Sequence, residues 1–436
     1  MTALAKAPAH WRQTTIGEIA EVRLGRQRSP KNHTGDQMQP YLRAANVNWY
    51  RLRPDDIQKM NFTAEEMETY ALREHDILVV EGSGSATEVG KCALVPSAFA
   101  GHAFQNTLIR IRPKADVDPR WLMYRINAEA ELGGFLALAR GSGIFHLGST
   151  RTAKWPAAVP PLDEQHAIVE TIERMLSQLD AAASETQRGL RRLSVLRDAL
   201  AHAAVSGGLL GLPRGGNGEW STPPTWRWRN VSDVAEIRGG IQKTPARQPV
   251  RNTAPFLRVA NVQRDELELS DVHNVELNVG ELDRYRLRQG DLLVVEGNGS
   301  LQHIGRSAVW DGSIADCVHQ NHLIRVRPGV EITSGWLNVV WNSPSCSAQI
   351  QQVSQTTSGL YTLSTKKVGA VSIPVPPRDV QLELVDVYRT RLTQIQRLES
   401  AVATSLKRGF ALRRSILKAA FEGRLTTASA PPVEEL

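Results

Sequence analysis

The feature that most constrains this chain is an internal duplication that runs through most of its 436 residues. Residues 16–30 (IGEIAEVRLGRQRSP) match residues 231–245 (VSDVAEIRGGIQKTP), 215 positions further on. Residues 72–85 (LREHDILVVEGSGS) match residues 287–300 (LRQGDLLVVEGNGS) with ten of fourteen positions identical. Because these matches keep the same order and offset, one unit occurs twice, and the chain must fold as two related copies.

Both copies also end alike. Residues 196–209 (LRDALAHAAVSGGL) align with residues 412–425 (LRRSILKAAFEGRL), now 216 positions apart. Before each ending stands a Pro-Pro pair, at Pro160-Pro161 and Pro376-Pro377. Proline continues neither a helix nor the middle of a sheet, so each pair marks a boundary within its repeat.

The part of each repeat before the Pro-Pro pair is rich in short, β-branched runs such as DILVV and TLIRIRP. Gly, Pro, Asn and Ser separate these runs, which is typical of strands joined by loops. Helical patterns are fewer, for example at 65–72 and 119–138. We therefore predict two mixed α/β globular domains, near residues 10–160 and 222–376.

The part after the Pro-Pro pair predicts a long helix. Apolar or small residues recur every seven positions in two rows, which are Leu162, Val169, Leu176, Ala183 and Leu190, and Ile172, Leu179, Thr186, Leu193 and Leu200. This heptad pattern is typical of a coiled coil. A helix from 162 to 206 would be roughly 67 Å long, and Gly207-Gly208 would cap it. The second repeat has a similar pattern, so we expect an antiparallel helix pair that separates the two globular domains.

Composition and charge exclude little. The net charge of +7 and the pI near 9.4 suit a partner with phosphates without requiring one. No apolar run approaches the ~20 residues of a membrane span, and the N-terminal sequence lacks the core of a signal peptide, so we expect a cytoplasmic location. The three cysteines lack metal-site spacing and are expected to be buried.

Sequence motifs for catalysis are lacking. The sequence has no GxxxxGK[ST], no HExxH and no GxSxG, and it lacks the Asn/Asp-Pro-Pro-aromatic motif of adenine methyltransferases. Glu81 and Glu296 recur after apolar strands, and we interpret them as carboxylates that bind backbone or arginine rather than as catalytic groups. The chain is therefore predicted not to be an enzyme by itself.

Four features together resemble the specificity subunit of type I restriction–modification systems. They are the two duplicated domains, the Pro160–Gln165 entry into a long helix, the 412–425 ending, and the Gly-Leu-Tyr/Phe-rich segment before each Pro-Pro pair. The resemblance implies a non-catalytic subunit that binds double-stranded DNA and recruits two modification (methyltransferase) subunits and restriction (translocase/endonuclease) subunits. S-adenosylmethionine, ATP and Mg would be used by those partners, and this chain would need no cofactor or metal of its own.

With this resemblance, the chain divides into six segments. The predicted segments are a first target-recognition domain at 1–161, a central spacer helix at 162–206, a flexible linker at 207–221, a second target-recognition domain at 222–377, a distal spacer helix at 378–426 and a tail at 427–436. Two diverged domains can read two different half-sites, and a rigid spacer fixes their separation. A catalytic methyltransferase or nuclease with an unrecognised site, and a coiled-coil adaptor that binds no DNA, remain alternatives.

DNA contacts require basic and polar side chains on loops, and three segments of each repeat provide them. The opening loop supplies Arg23, Arg26, Arg28 and Lys31 in the first repeat, and Arg238, Gln242 and Lys243 in the second. The Arg–Asn turn supplies Arg43 with Asn46, and Arg258 with Asn261. The boundary segment supplies Arg140, Ser142, His146, Thr150, Arg151 and Lys154, matched by Thr357, Ser358, Tyr361, Thr362, Ser364, Lys366 and Lys367.

The repeats also suggest different roles for these candidates. Residues that are identical in both copies, such as Arg43 and Arg258, suit phosphate contact or structure. Residues that differ at matched positions, such as His146 and Thr362, suit sequence selection. Ser364 is expected to cap a short helix. The near-identical helix endings suggest docking surfaces for two copies of one partner, with Leu196, Leu200, Leu412, Ile416 and Phe421 as the predicted contacts.

Overall fold

The structure of the chain is a computed structural model. It describes residues 4, 7–137, 145–213, 215, 222–298, 300, 304–357 and 360–425. The chain divides into two compact units. The first comprises residues 1–186 and 404–436, and the second comprises residues 187–403.

The first unit contains short strands and helices in mixed order. Its strands are β1 (Arg12–Thr15), β2 (Ala20–Leu24), β3 (Met38–Leu42), β4 (Val47–Asn48), β5 (Arg51–Leu52), β6 (Gln58–Asn61), β7 (Ile77–Val80), β8 (Gly82–Ser83), β9 (Cys92–Leu94), β10 (Ala103–Phe104), β11 (Leu108–Pro113), β12 (Phe145–His146) and β13 (Pro156–Val159). Its short helices are α1 (Ile16–Ile19), α2 (Ala64–Tyr70), α3 (Pro119–Glu131) and α4 (Ser149–Ala153). The predicted helix 119–138 is shorter than expected, since Gly133 adopts a left-handed φ of 81° just after α3.

The main sheet of the first unit is antiparallel, with strand order β2-β11-β7-β9. All four residues of β7 are buried, because alternate side chains enter two different cores. Ile77 and Val79 pack with the core that includes Trp121 of α3, whereas Leu78 and Val80 pack into a second core on the other face. Burial on both faces explains why this strand reads as a continuous apolar run.

The second unit repeats this arrangement. Its strands are β14 (Arg227–Asn230), β15 (Ala235–Gly239), β16 (Thr253–Leu257), β17 (His273–Glu276), β18 (Leu292–Val295), β19 (Gly297–Asn298), β20 (Ser307–Val309), β21 (Val318–His319), β22 (Leu323–Pro328), β23 (Gln355–Thr357), β24 (Leu360–Thr362) and β25 (Ser372–Val375). Its short helices are α6 (Val231–Val234), α7 (Glu281–Tyr285), α8 (Ser334–Trp341), α9 (Pro344–Val353) and α10 (Thr365–Gly369). The sheet order β15-β22-β18-β20 matches that of the first unit. The predicted mixed α/β fold is thus confirmed.

The two long helices are α5 (Leu162–Val205) and α11 (Arg378–Phe421), each of 44 residues. The sequence predicts spacer helices at 162–206 and 378–426, so both helices begin where predicted and end slightly earlier. A glycine in the left-handed region follows each helix, Gly207 with φ 75° and Gly423 with φ 71°. This pair of glycines agrees with the predicted cap and explains why a glycine recurs there.

Each unit is completed by the beginning of one long helix and the end of the other. In the first unit, Ile168 and Ile172 of α5 share a core with Leu417 and Phe421 of α11. In the second unit, Leu200, Ala204 and Val205 of α5 share a core with Leu384 and Tyr388 of α11. The start of each long helix therefore lies in the same unit as the end of the other, which is the antiparallel order that the sequence predicts.

The beginning of the predicted flexible linker differs from expectation. A 3-10 turn covers Gly208–Leu210, and Leu209, Leu210 and Leu212 pack against the core of the second unit. Burial of these apolar side chains opposes the chain entropy that a free linker would keep. Residues 216–221 and the predicted tail at 427–436 lie outside the described residues.

Two smaller expectations can be compared with the structure. All three cysteines, Cys92, Cys317 and Cys346, are buried and free, as predicted. Among the described helices, none is long and apolar enough to cross a membrane.

Candidate nucleic-acid interface

The opening loop contains one arginine that is committed to the domain's own structure. The Arg26 side chain is only 13% exposed and pairs with Glu66, with 2.7 Å between Nε and Oε1. Arg26 also donates to the carbonyl of Asn61 and lies over the Phe62 ring. Arg26 therefore orders this loop, whereas Arg28 beside it is exposed and donates to Nε2 of the exposed His33 at 3.0 Å.

A close backbone approach fixes the same loop in both repeats. A Cβ atom at Gly25 would lie 2.2 Å from the carbonyl oxygen of Gln105, and one at Gly240 would lie 2.3 Å from that of Gln320. No side chain fits at these distances, which explains the matched glycines. In the second repeat the loop then presents Gln242 and Lys243 to solvent.

The Arg–Asn turn is built in the same way in both repeats. Asn46 is buried, its Oδ1 accepts from the Arg43 amide at 3.1 Å, and its Nδ2 donates to the Asp55 carbonyl at 2.8 Å. Asn261 is likewise buried and accepts from the Arg258 amide at 2.8 Å. Both asparagines thus have a structural role, one of the two roles expected for residues identical in both copies.

The arginines of this turn pair with nearby carboxylates. Arg43 pairs with Asp56, and Arg258 pairs with Asp271 at 2.7 Å. The hydrogen bond from Arg258 lowers the pKa of the exposed Asp271. A DNA phosphate would have to compete with these carboxylates, so the prediction of direct DNA contact by both arginines stays a prediction.

The boundary segment of the first repeat places several predicted residues at the surface around α4. His146, Thr150 and Lys154 are exposed. Arg151 donates to the carbonyl oxygens of Leu147, at 2.6 Å, and His146, at 2.9 Å, and so braces the segment from within. The predicted contacts Arg140 and Ser142 lie outside the described residues.

The boundary segment of the second repeat has the predicted helix cap. Ser364 precedes α10 and its Oγ accepts from the Lys367 amide at 3.2 Å. Thr362 and Lys366 are exposed, and the Lys367 ammonium donates to the carbonyl of Thr362 at 3.4 Å. Tyr361 lies on β24, opposite Asn298, and Ser358 lies outside the described residues.

A carboxylate connects the glycine loop (residues 81–85), whose sequence recurs in similar form at 296–300, to the boundary segment. Glu81 accepts from the Gly148 amide at 3.2 Å and lies 2.8 Å from Nδ1 of His146. Its counterpart Glu296 lies 3.5 Å from Nδ1 of His322, and burial raises the pKa of Glu296. Glu81 therefore binds backbone, one of the two alternatives that we predicted for it, and it also pairs with a histidine. Among the described residues, no group of three or more His, Cys, Asp or Glu could hold a metal ion.

Several known proteins are similar to this chain in sequence and in fold. The family described as the type I restriction modification DNA specificity domain matches residues 8–188. The EcoKI specificity subunit of a type I restriction enzyme from Escherichia coli strain K12 is 25% identical, over 97% of this chain and 90% of that protein. The StySPI specificity subunit from Salmonella potsdam is 24% identical over the same shares of the two chains.

Residues 8–188 of this chain belong to that family, and the whole chain is similar to the specificity subunits of type I restriction enzymes. Solved structures agree in fold. A chain solved in work on complex assembly and conformational transition of the type I R-M system has a TM-score of 0.71 at 19% identity, covering 96% of this chain and 99% of that one. The HsdS subunit from Thermoanaerobacter tengcongensis has a TM-score of 0.51 at 18% identity, covering 96% and 98%. Specificity subunits are non-catalytic, and the catalytic activities lie in other subunits.

Sequence reasoning missed the role of one repeated residue. Gln165 and Gln381 follow the two Pro-Pro pairs by the same spacing, and both are fully buried. Gln165 accepts from the Asp118 amide at 2.8 Å and donates to the carbonyls of Pro160, at 3.0 Å, and Asp116, at 3.2 Å. Gln381 makes the equivalent bonds to Thr333, Pro376 and Glu331. This glutamine clamp joins each long helix to the domain before it, and the repeated spacing was its available signal.

A second repeated network holds the main sheets. Arg110 pairs with Glu21 at 2.6 Å, and Arg325 pairs with Glu236 at 2.7 Å. Burial lowers the pKa of both guanidinium groups. Arg110 and Arg325 are nearly inaccessible, so their charges stabilise the two sheets and are not available to DNA.

The predicted partner contacts on the helix endings are only partly at the surface. Leu196 is 52% exposed and Leu412 is half-buried. Leu200, Ile416 and Phe421 are buried, with Phe421 packed edge-to-face on Trp121. Little of these three side chains is accessible in the folded chain, and their contact with a partner stays a prediction. They complete the cores of their own units, and exposing them would remove that apolar packing.

Proposed function

We propose that this specificity subunit selects double-stranded DNA by reading a bipartite, asymmetric site, with each globular domain reading one half. The observation that carries this proposal is the contrast between shared and differing features of the two units. The sheet order, the glutamine clamp and the buried Arg–Glu pairs recur in both. The exposed boundary segments differ, with His146 standing where the second repeat has Thr362. Similar scaffolds with different exposed side chains suit two different half-sites.

We further propose that the two long helices set the unread gap between the half-sites. Each helix has 44 residues without an internal proline, which gives roughly 66 Å of regular helix. Each begins in one unit and ends in the other. Lengthening both helices by equal amounts should change the gap and leave both half-sites unaltered.

The partners in this proposal are two modification (methyltransferase) subunits and the restriction (translocase/endonuclease) subunits. The repeated helix endings suit two copies of one partner, with Leu196 and Leu412 as the apolar contacts that remain accessible. S-adenosylmethionine would serve the modification subunits, and ATP with Mg would serve the restriction subunits. The complex would act in the cytoplasm, where it meets DNA.

A salt-dependence measurement tests the DNA-reading proposal. Removal of one phosphate-contacting cation should reduce the slope of log affinity against log salt by about 0.9. We expect Lys366→Ala to reduce the slope by this amount, because Lys366 is exposed on the boundary segment. Lys418→Ala, at an exposed position near the end of α11, is the matched control and should leave the slope unchanged.

Two outcomes would contradict the proposal. Absence of a salt-dependent affinity for duplex would favour the coiled-coil adaptor, because phosphate contacts release counterions on binding. Methyl transfer or DNA cleavage by the purified chain alone, supplied with S-adenosylmethionine or Mg²⁺, would favour the catalytic alternative. The proposal predicts activity only after the modification subunits are added.

A further inference from the structure

Glu81 stands at the junction of the glycine loop and the boundary segment of the first repeat. Its backbone amide donates to the carbonyl of Thr107, and its own carbonyl accepts from the amide of Leu147, each at 2.9 Å. The side chain is 10% exposed. One carboxylate oxygen accepts from the Gly148 amide, which leaves the other for His146. Because hydrogen bonds fix both its backbone and its nearly buried carboxylate, Glu81 is a rigid support.

His146 is held on one side and free on the other. Its Nδ1 lies 2.8 Å from Oε2 of Glu81, and its side chain is 52% exposed. The ring packs on Gly82, where an added Cβ would lie 2.9 Å from Nδ1. Within the described residues, Nε2 makes no hydrogen bond. In a neutral imidazole, donation from Nδ1 to a carboxylate leaves the lone pair on Nε2 as an acceptor.

The second repeat lacks this arrangement although its backbone is similar. The Leu363 amide donates to the carbonyl of Glu296 at 2.7 Å, as Leu147 does to Glu81. However, Thr362 occupies the position of His146, and Glu296 faces His322 instead. The two units therefore share the support but differ in the side chain that is presented.

We propose that Glu81 is a positioning residue that holds His146 with its proton on Nδ1, so that Nε2 reads one base pair of the first repeat's half-site. As an acceptor, Nε2 fits the exocyclic amino group of adenine or cytosine in the major groove. This inference rests on the proposed DNA-reading function and assigns one position of one half-site to a specific pair of side chains.

Glu81→Gln tests the positioning role, because it keeps the size of the side chain and an oxygen for the Gly148 amide. Its amide group then faces Nδ1 as a donor, so the imidazole must carry its proton on Nε2 and becomes a donor there. In the complex with modification subunits, methylation sites mapped across a bacterial genome should show a changed or lost base preference at one position of one half-site. The other half-site and the gap should stay as in the wild type.

Two further variants complete the test. His146→Thr copies the second repeat at an exposed position, and it should lower discrimination at the same base pair about tenfold, the value of one hydrogen bond. Glu296→Gln is the matched control and should leave base preference unaltered, because the Glu296 carboxylate pairs with His322 and not with a side chain of the boundary segment.

The outcomes separate this inference from the function on which it rests. Absence of a split methylation site with the wild-type complex would refute the proposed function itself. With a split site present, unaltered base preference in His146→Thr would overturn the inference. So would a Glu81→Gln variant that methylates all sites less while keeping every base preference, since Glu81 would then only support the fold.

Discussion

Replacement of Gln165 by leucine should loosen the junction between the first globular domain and helix α5. The Gln165 side chain is fully buried and makes three hydrogen bonds, all with backbone groups of residues 116, 118 and 160. Leucine has a similar volume but neither donor nor acceptor, so three backbone groups would lose this partner. At about 1 kcal/mol each, the loss is about 3 kcal/mol.

Hydrogen exchange measures this loss where it occurs. The Asp118 amide donates directly to Gln165, so a loss of about 3 kcal/mol should make its exchange roughly 100-fold faster. Gln178→Leu makes the same chemical change at an exposed position of α5 and should leave this exchange rate unchanged. Gln381→Leu should instead accelerate exchange of the Thr333 amide and leave Asp118 as it was.

The reasoning would be refuted if the Asp118 amide exchanged equally fast in Gln165→Leu and Gln178→Leu. The clamp would then contribute nothing to the domain–helix junction, and the repeated glutamine would need another explanation. Equal effects of Gln165→Leu on the Asp118 and Thr333 amides would also contradict it, because the structure places the two clamps in separate units.

Two further variants test other parts of the structure. Burial holds the pKa of His319 at about 3, so the unfolded chain binds the extra proton first and stability falls as pH decreases below about 6.5. At about pH 4.5 the loss of stability is roughly 3 kcal/mol relative to neutral pH. His319→Phe copies Phe104 of the first repeat, and urea unfolding of this variant should not show that loss. An identical pH dependence of stability in both proteins would contradict the low pKa of His319. Phe421→Ala should lower the free energy of unfolding by about 3–5 kcal/mol, because the ring is buried against Trp121. The control Phe410→Ala removes a 70% exposed ring and should change the free energy of unfolding by less than about 0.5 kcal/mol. Equal unfolding midpoints of the two variants would show that Phe421 is not part of the core.

The sequence predicted most of the architecture because the duplication doubled each local signal. The heptad rows predicted both long helices, the recurring glycine predicted the cap at Gly207, and Leu363-Ser364-Thr365 predicted the cap of α10. These features depend on residues close together in the sequence. The same local physics determines them whatever the rest of the chain does.

The candidate site was harder to predict because its contacts join distant residues. The Arg26 guanidinium is committed to Glu66, forty positions away, and the His146 ring to Glu81, sixty-five positions away. A heptad row likewise does not tell which of its members a neighbouring domain will cover. Leu200, Ile416 and Phe421 were predicted as partner contacts, and the fold buries all three.

The glutamine clamp also depends on contacts between residues that are distant in the sequence. Gln165 and Gln381 recur at the same position after the two Pro-Pro pairs, so the sequence alone shows the repetition. Their partners, the amides of Asp118 and Thr333, lie forty-seven and forty-eight positions earlier in the chain. Only the fold brings these groups together, so a recurring polar residue could be recognised as important without its role being evident.

Methylation mapping of the host genome, with and without the gene for this chain, tests the central claim most directly. If each globular domain reads one half of a bipartite site, deletion should abolish methylation at one split, asymmetric motif and leave other motifs unaltered. Restoring the gene should restore that motif. Unchanged methylation after deletion, in cells shown to make the modification subunits and this chain, would contradict the account.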